Sequence, residues 1–440
     1  MSFTETNLMP NAGLLPAAML AQRIGLPELF DERLQLHKHG VSSGSRALTV
    51  IGSMLAGGDS IDDTAMLRAG AASSLFDDTR APSTIGTWLR AHKWSNVRQH
   101  DAISRELLAR LWAAGAGPAD LTAPLTFDLD SSIVGVYGRG KQGAAFGYTK
   151  VRGYHPQFAT CAQTGMVLFS RLRGGSAGSA RGVKSFLTET VSRVRNAGAT
   201  GQLTVRADSA FYSKAVLHTA VKFDVRFSVT VRQDNRIRAA IDAIDESAWQ
   251  PIPYWLSTPE VSGADVAKTT YTAFSGGANK DAIAVRLIVR RVRPTPGSQL
   301  ALFTTWDYHA LVTNRDGDFL ELEADHRRHA IVEQRIAELK SAGLAHMPSG
   351  KFDANAVWLA LTVMAHNLSR AIGHLAGAEL DTATIATLRR KVFTVPGRLI
   401  SSARRLTSAR RLTVKLPESG PWATAIDAAI EKIQAIPLRC

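Results

Sequence analysis

The sequence predicts an α/β core with helical regions at both ends and a β-rich segment interrupting it. Two changes of periodicity carry this prediction. Helical spacing of apolar residues dominates up to about residue 120 and returns from about residue 319. Between them lie short runs of β-forming residues, with one amphipathic helix among the first four. The expected zones are 1–120, helical and DNA-binding; 121–224, the first part of the core; 225–318, a β-rich insertion; 319–375, the second part of the core; and 376–440, helical and basic.

In the first zone "LPAAMLAQRIGL" (15–26), "SRALTVIGSMLAGG" (45–58), "IDDTAMLRAG" (61–70) and "HDAISRELLARLWAAG" (100–115) repeat apolar residues at helical spacing, with Gly or Pro as punctuation. "APSTIGTWLRAHKW" places Pro82 before Ser83 and Thr84, then Trp88, Arg90 and Lys93; it reads either as a DNA-reading helix or as an ordinary bundle helix. "AGAGPADLTAP" (114–124) is a linker by composition. The runs "LTFDLDSSIVGVY", "YHPQFATCAQ", "MVLFSRLR" and "LTVRADSAF" then predict four strands. "ARGVKSFLTETVSRVRNAG", ending on Gly198, predicts a helix between the third and fourth. "VRFSVTVR", "KTTYTAFS", "AIAVRLIVRRVR", "LALFTTW" and "HALVTN" supply the β-rich segment. "DFLELEADHRRHAIVEQRIAELKSAGL" and "NAVWLALTVMAHNLSRAIGHLAG" are the two longest helical candidates, and the tail carries the basic "RRLTSARRLTVK".

The chain has 440 residues, 45% of them hydrophobic, enough for a sizeable core. Lys and Arg number 52 against 38 acids, a net charge of +14, which points to a polyanionic partner such as nucleic acid. The two cysteines, Cys161 and Cys440, make no disulfide framework, and a cytoplasmic, nucleoid-associated location is expected. "MSFTETNLMP" lacks the basic start of a signal peptide. The apolar run from Ala356 meets His366 and Asn367 well short of the roughly 18 residues a span needs. No membrane partner is expected.

Two chemistries compete at "LTFDLDSSIVGVYGRGKQGAAFGY" (125–148). Gly135, Gly140 and Lys141 match part of a phosphate-binding loop, but Gln142 stands where Ser or Thr should hold Mg²⁺, and the glycine-rich, aromatic sequence that follows does not favour a helix. The alternative is a strand presenting acids. Asp128 and Asp130 share one strand face, because side chains alternate. "LTVRADSAF" ends in a further acid, Asp208. Carboxylates converging from strand ends hold hard divalent cations, and two such ions clamp an in-line phosphoryl displacement. Solvated strand-end acids are the plain structural reading.

A third acid emerges from "HRRHAIVEQRIAELK". On one continuous helix at about 100° per residue, with His326 at zero, His329 falls at about 300°, Glu333 at about 340° and Lys340 at about 320°. Glu338 lies elsewhere, at about 120°. This face carries two imidazoles, a carboxylate and an ammonium, and a salt-bridged solvated face would look the same.

Taken together, "DLDSSIVGVYGRGKQGAAFGYTKVRGYHPQ", "LRGGSAGSARG", "VRADSAFYS", "HALVTN", "VEQRIAELKSAGLAHMPSGKFDANAVWL" and "AHNLSRAIG" make the chain resemble a bacterial insertion-sequence transposase of the Asp-Asp-Glu (DDE) type. The resemblance is to the insertion-sequence thirteen-eighty family of the insertion-sequence-four-like group. It covers about residues 125–375.

The resemblance implies a ribonuclease-H-like core split by a β-rich insertion. It also implies catalytic, metal-binding acids at Asp130, Asp208 and Glu333, two Mg²⁺ ions with Mn²⁺ able to substitute, and DNA strand cleavage and transfer. The partners it implies are duplex DNA, as terminal inverted repeats and target, and a second copy of the chain in the DNA complex. Related transposases surround the third acid with a Tyr–Arg–Glu–Lys signature. Glu333 and Lys340 keep its spacing, whereas His326 and His329 stand at the Tyr and Arg positions. His326, His329, Lys340, Arg328 and Lys141 are the expected DNA contacts. The competing expectation is a non-catalytic DNA-binding protein derived from a transposase.

Overall fold

The runs from Leu125 onward pair into one nine-stranded mixed sheet. The computed structural model describes residues 4–36, 42–76, 79–253, 263–276, 281–293, 306–402 and 411–439. Strands β1 (Leu125–Ser131), β2 (Gln157–Cys161) and β3 (Val167–Arg171) run antiparallel in succession. β4 (Leu203–Ala207) lies parallel to β1 on its other side, and β5 (Val225–Val231) lies parallel to β4. β6 (Gln250–Ile252), β7 (Ala264–Ala273), β8 (Ile283–Val292) and β9 (Asp307–Thr313) extend the sheet by antiparallel pairing. The order is β6-β7-β8-β9-β5-β4-β1-β2-β3.

β2 and β4 are buried at every residue. Strands covered on both faces need continuous apolar runs rather than alternation.

The expected β-rich insertion at 225–318 therefore does not stand apart. β5 belongs to the parallel part of the sheet, and β6–β9 continue from its free edge. Hydrophobic pattern alone does not say which edge a strand joins, so the boundary was not legible. Within that segment α8 (Asn235–Asp242) forms a helix, capped by the Asp234 carboxylate on the Arg236 and Ile237 amides. Residues 294–305, which hold most of "LALFTTW", lie outside the described residues.

The helices make the other half of the molecule. In the N-terminal region α1 (Leu15–Arg23) and α2 (Leu26–Arg33) meet at Gly25, whose φ of 65° suits glycine. α3 (Ser43–Ala56), α4 (Pro82–Ala91) and α5 (Trp94–Leu111) follow. α6 (Val183–Asn196) is the crossover between β3 and β4, and α7 (Lys214–Lys222) joins β4 to β5. Parallel strands require such crossovers. α9 (Phe319–Arg327), a 3₁₀ turn at Arg328–Ala330, and α10 (Ile331–Leu339) lead into α11 (Phe352–Ala376).

α11 is buried along almost its whole length and packs on α1, α3, α4, α5 and β3. A helix apolar all round is a core helix. Its Asn367 amide accepts from the Val167 N–H at 2.8 Å and donates to the Val167 carbonyl at 2.9 Å, closing the outer edge of β3. Among the described residues no helix is long and apolar enough to cross a membrane.

The region 376–440, expected to be helical, is partly strand. Gly397–Ser402 pairs with both Leu8–Met9 and Arg411–Lys415, tying the two ends of the chain together. α12 (Ile385–Leu388) is a single turn, and α13 (Ala423–Ala435) packs on α1 and α11. Residues 403–410 of the basic tail lie outside the described residues.

Candidate active site

Neighbouring strands β1 and β4 bring the first two acids together. Asp128 pairs in register with Arg206 of β4. The guanidinium grips the carboxylate with Nε–Oδ1 at 2.8 Å and Nη2–Oδ2 at 2.9 Å, and both side chains are buried. His329 Nδ1 lies 2.8 Å from the same Oδ1. Arg206 also donates from Nη1 to the Asp325 carbonyl at 2.6 Å and carboxylate at 3.1 Å. Asp128 is thus held in a hydrogen-bonded charge network. Of the two acids on this strand face, Asp130 is the one outside this network.

Asp130 sits at the end of β1, where Oδ1 accepts from the Ser131 amide at 2.6 Å. Burial pushes its carboxyl up to about 6, opposed by the Ser131 amide and His329; the negative charges of Asp208 and Glu333 push it further up. Asp208 follows β4 directly and caps a short 3₁₀ turn, accepting from the Ala210 amide at 3.0 Å. Glu333 lies in the first turn of α10, where the helix dipole favours an anion. Three acids from three elements therefore share one electrostatic neighbourhood.

The two histidines do not form the expected DNA-facing stripe. The 3₁₀ turn at 328–330 advances about 120° per residue rather than about 100°, so three residues rotate the face by about 60°. His326 turns inward, with Nδ1 2.8 Å from Ser228 Oγ and Nε2 2.9 Å from Thr230 Oγ1. Burial, with His329 and Arg206 nearby, lowers its pKa to about 3. Its ring is neutral with both nitrogens occupied, so His326 is not a phosphate contact.

Lys141 is also corrected. Its Nζ donates to the Met347 and Ser349 carbonyls and fastens the 135–152 segment to the 347–349 loop. Arg328 is exposed and Lys340, just after α10, is half-buried. Glu338 is buried and bound to Arg335, as its position off the stripe implied. In α4, Trp88 is buried, whereas the polar side chains of Ser83, Thr87 and Arg90 are exposed. Arg206 and Asp325 were missed. "VRAD" carried the signal, since Arg206 shares a strand face with Asp208 and lies beside Asp128 once β1 and β4 are paired.

The family is decided by comparison with known proteins. The model of the family described as "Transposase DDE domain group 1" matches residues 1–438. The chain belongs to this family. No curated protein matches it. Among solved structures it is similar to a cryo-EM structure of the piggyBac transposase synaptic complex with hairpin DNA. The identity is 13%, the match covers 97% of this chain and 85% of that one, and the TM-score is 0.43.

In this DDE-family chain the donor set around Asp130 is all oxygen apart from one imidazole, which suits a hard divalent ion. Among the described residues no three His, Cys, Asp or Glu side chains are gathered closely enough to hold one as they stand.

A cleft of about 1360 Å³ is lined by Arg90, Tyr137, Arg152 and His346 among others, and by none of the three acids. It borders a small three-stranded sheet formed by Val134–Gly135, Ala145–Phe146 and Arg152–Tyr154, which leaves β1 just after Asp130. Tyr137 (94% exposed), Phe146 (67%) and Tyr148 (79%) stand out from this flap.

Proposed function

We propose that the chain is a DNA transposase that cuts and rejoins the ends of an insertion sequence by metal-dependent phosphoryl transfer. Asp130, Asp208 and Glu333 are its catalytic acids. The observation that carries this is the pairing of β1 with β4, which sets Asp130 and Asp208 at neighbouring strand ends, with Glu333 in the first turn of α10, a helix that packs on β1. Three antiparallel strands followed by two parallel ones, in the order β3-β2-β1-β4-β5, support a ribonuclease-H-like core. The motifs from 125 to 375 favour the bacterial insertion-sequence thirteen-eighty family.

Asp130, Asp208 and Glu333 would hold two Mg²⁺ ions, or Mn²⁺ in their place, which would supply Lewis-acid activation of a water or a 3′-hydroxyl and stabilisation of the leaving oxygen. Asp130 and Asp208 supply carboxylates from rigid strand ends, and Glu333 faces them from α10. Lys340 and Arg328 meet backbone phosphates. The exposed aromatic rings of the flap suit stacking on bases. The net charge of +14 supports duplex DNA, as terminal inverted repeats and target, with the chain acting as a dimer on it in the nucleoid.

The test is cleavage of a labelled duplex bearing the element's end, with Mg²⁺. Asp130→Asn, Asp208→Asn and Glu333→Gln each remove a charge while keeping volume. Each is expected to abolish cleavage and leave duplex binding nearly intact. Cleavage by any one of them at the wild-type rate would remove that residue from the site. A wild-type chain that binds ends without cutting them under any divalent ion would instead be the non-catalytic binder.

A further inference from the structure

Asp128 lies two residues before Asp130 on β1, and Arg206 two residues before Asp208, which follows β4 directly. The parallel register sets Asp128 and Arg206 opposite each other. Each shares a strand face with the acid of its own strand. We propose that Arg206 is the hub of a positioning network, with Asp128, Asp325 and His329, that fixes the three acid-bearing elements relative to one another. The proposal rests on the reading of Asp130, Asp208 and Glu333 as catalytic acids and adds residues that act through them.

The hydrogen bonds reach all three elements. Arg206 Nε and Nη2 hold Asp128 Oδ1 and Oδ2 at 2.8 and 2.9 Å. A bidentate guanidinium–carboxylate pair fixes direction as well as distance. It therefore locks β1 against β4 just before Asp130 and Asp208. The remaining arm leaves the sheet. Arg206 Nη1 donates to the Asp325 carbonyl at 2.6 Å and to its carboxylate at 3.1 Å, near the end of α9. Arg315 holds the other oxygen of that carboxylate at 2.5 Å. His329, expected as a phosphate contact, has Nδ1 2.8 Å from Asp128 Oδ1. Asp325 lies three residues before the 3₁₀ turn at 328–330, and His329 lies within it. The start of α10 is thus held at two points, and Glu333 is the third residue of that helix, which packs on β1.

Burial argues against a role in stability alone. The Asp128 and Arg206 side chains are each 3% exposed. Removing two charges from water offsets much of their attraction, and a well-packed apolar pair holds a fold as well or better. An apolar pair has no direction and cannot bond a third element. The planar fork of Arg, with five donors, does both. Such control matters for catalysis, where a misplacement of about 1 Å costs on the order of 100-fold in rate.

The experiment compares three variants of the full-length chain: Arg206→Lys, Asp325→Ala and the double replacement Asp128→Leu with Arg206→Met. Three quantities are measured. They are the melting temperature, hydrogen–deuterium exchange over 325–333 without metal or DNA, and cleavage of the labelled end duplex over a range of duplex concentrations. Lysine keeps a charge beside Asp128 but lacks the fork that reaches Asp325 as well. The double replacement removes both buried charges, so its melting temperature is expected near that of the wild type. In both, exchange over 325–333 should rise while β1 and β4 stay protected. Their cleavage rate at saturating duplex should fall about 10- to 100-fold, with half-saturation unchanged. Asp325→Ala keeps the Asp128 clamp and should show a smaller change of the same kind. Asp325 is partly exposed, so this variant reports even where the buried ones misfold.

Cleavage restored along with melting temperature in the double variant would overturn the proposal, because the pair would then serve stability alone. Unchanged exchange over 325–333 would overturn it too, as would a loss confined to duplex affinity. An Asp130→Asn chain that cuts at the wild-type rate, or a wild type that cuts no end, would sink the reading of the acids, and the network's role with it.

Discussion

Arg206 is the residue on which the site's geometry turns. It neutralises Asp128, reaches Asp325 and is itself buried. Removing one member of a buried pair leaves an uncompensated charge, at about 3–5 kcal/mol. Arg206→Met is therefore expected to lower stability by about that amount, read from urea unfolding. A loss below about 1 kcal/mol would mean that Asp128 finds another partner or a proton. Buried histidines set the response to acid. His326 is lowered to about 3, and His92 and His366 to about 4, each chiefly by burial. Such rings charge in the unfolded chain at about 6.5 but stay neutral in the fold. The unfolded state thus binds more protons, and stability falls as pH drops from about 6.5 toward 4, by up to about 2 kcal/mol per ring at pH 5. Asp130, raised to about 6, partly offsets this, since the fold takes up its proton first. Melting temperature should drop from pH 7.5 to pH 5, and His326→Asn should reduce the drop. DNA affinity between pH 6 and 7 should not depend on His326.

At the scale of elements, the edge of β3 and the break between α9 and α10 matter most. Asn367 satisfies both backbone groups of Val167 from the buried face of α11. Asn367→Leu leaves those groups buried and unpaired, at about 1–3 kcal/mol each where water cannot reach them. The expected result is a lower melting temperature together with concentration-dependent association, since an unpaired strand edge invites pairing. A soluble variant with an unchanged melting temperature would mean that water takes over the role. The 3₁₀ turn at 328–330 separates the two histidines by function, one packed on β5 and the other joined to β1. A straight helix would have presented both to the same side.

At the scale of the whole molecule, the excess of 52 cations over 38 acids is only partly spent on internal ion pairs. Phosphate neutralisation releases condensed counterions, so nonspecific duplex binding should weaken steeply with salt. The log–log slope should be about −5 if six phosphates are engaged. A flat response between about 50 and about 200 mM salt would separate the charge from any DNA role. The two chain ends pair in one small sheet, and α13 rests on α1 and α11. N- and C-terminal regions therefore belong to one helical body beside the large sheet.

The amino-acid sequence by itself determined the charge, most of the elements and the candidate acids. Alternation, apolar runs and turn residues are local properties, so strands from Leu125, helices in the N-terminal region and carboxylates at strand ends could be read directly, whereas the paired strands of the C-terminal region were expected as helix. Asp130, Asp208 and Glu333 were legible as candidates because each sits in a recognisable motif. Only the tertiary structure decided which of Asp128 and Asp130 is free, since that depends on the register that places Arg206 beside Asp128. It also decided the fates of His326, His329 and Lys141, because a 60° change of helical phase and contacts across about 100 to 200 residues are not local. The β-rich segment joined the core sheet for the same reason: a strand's partner is chosen by the free edge that folding presents, and no short stretch of sequence encodes that edge.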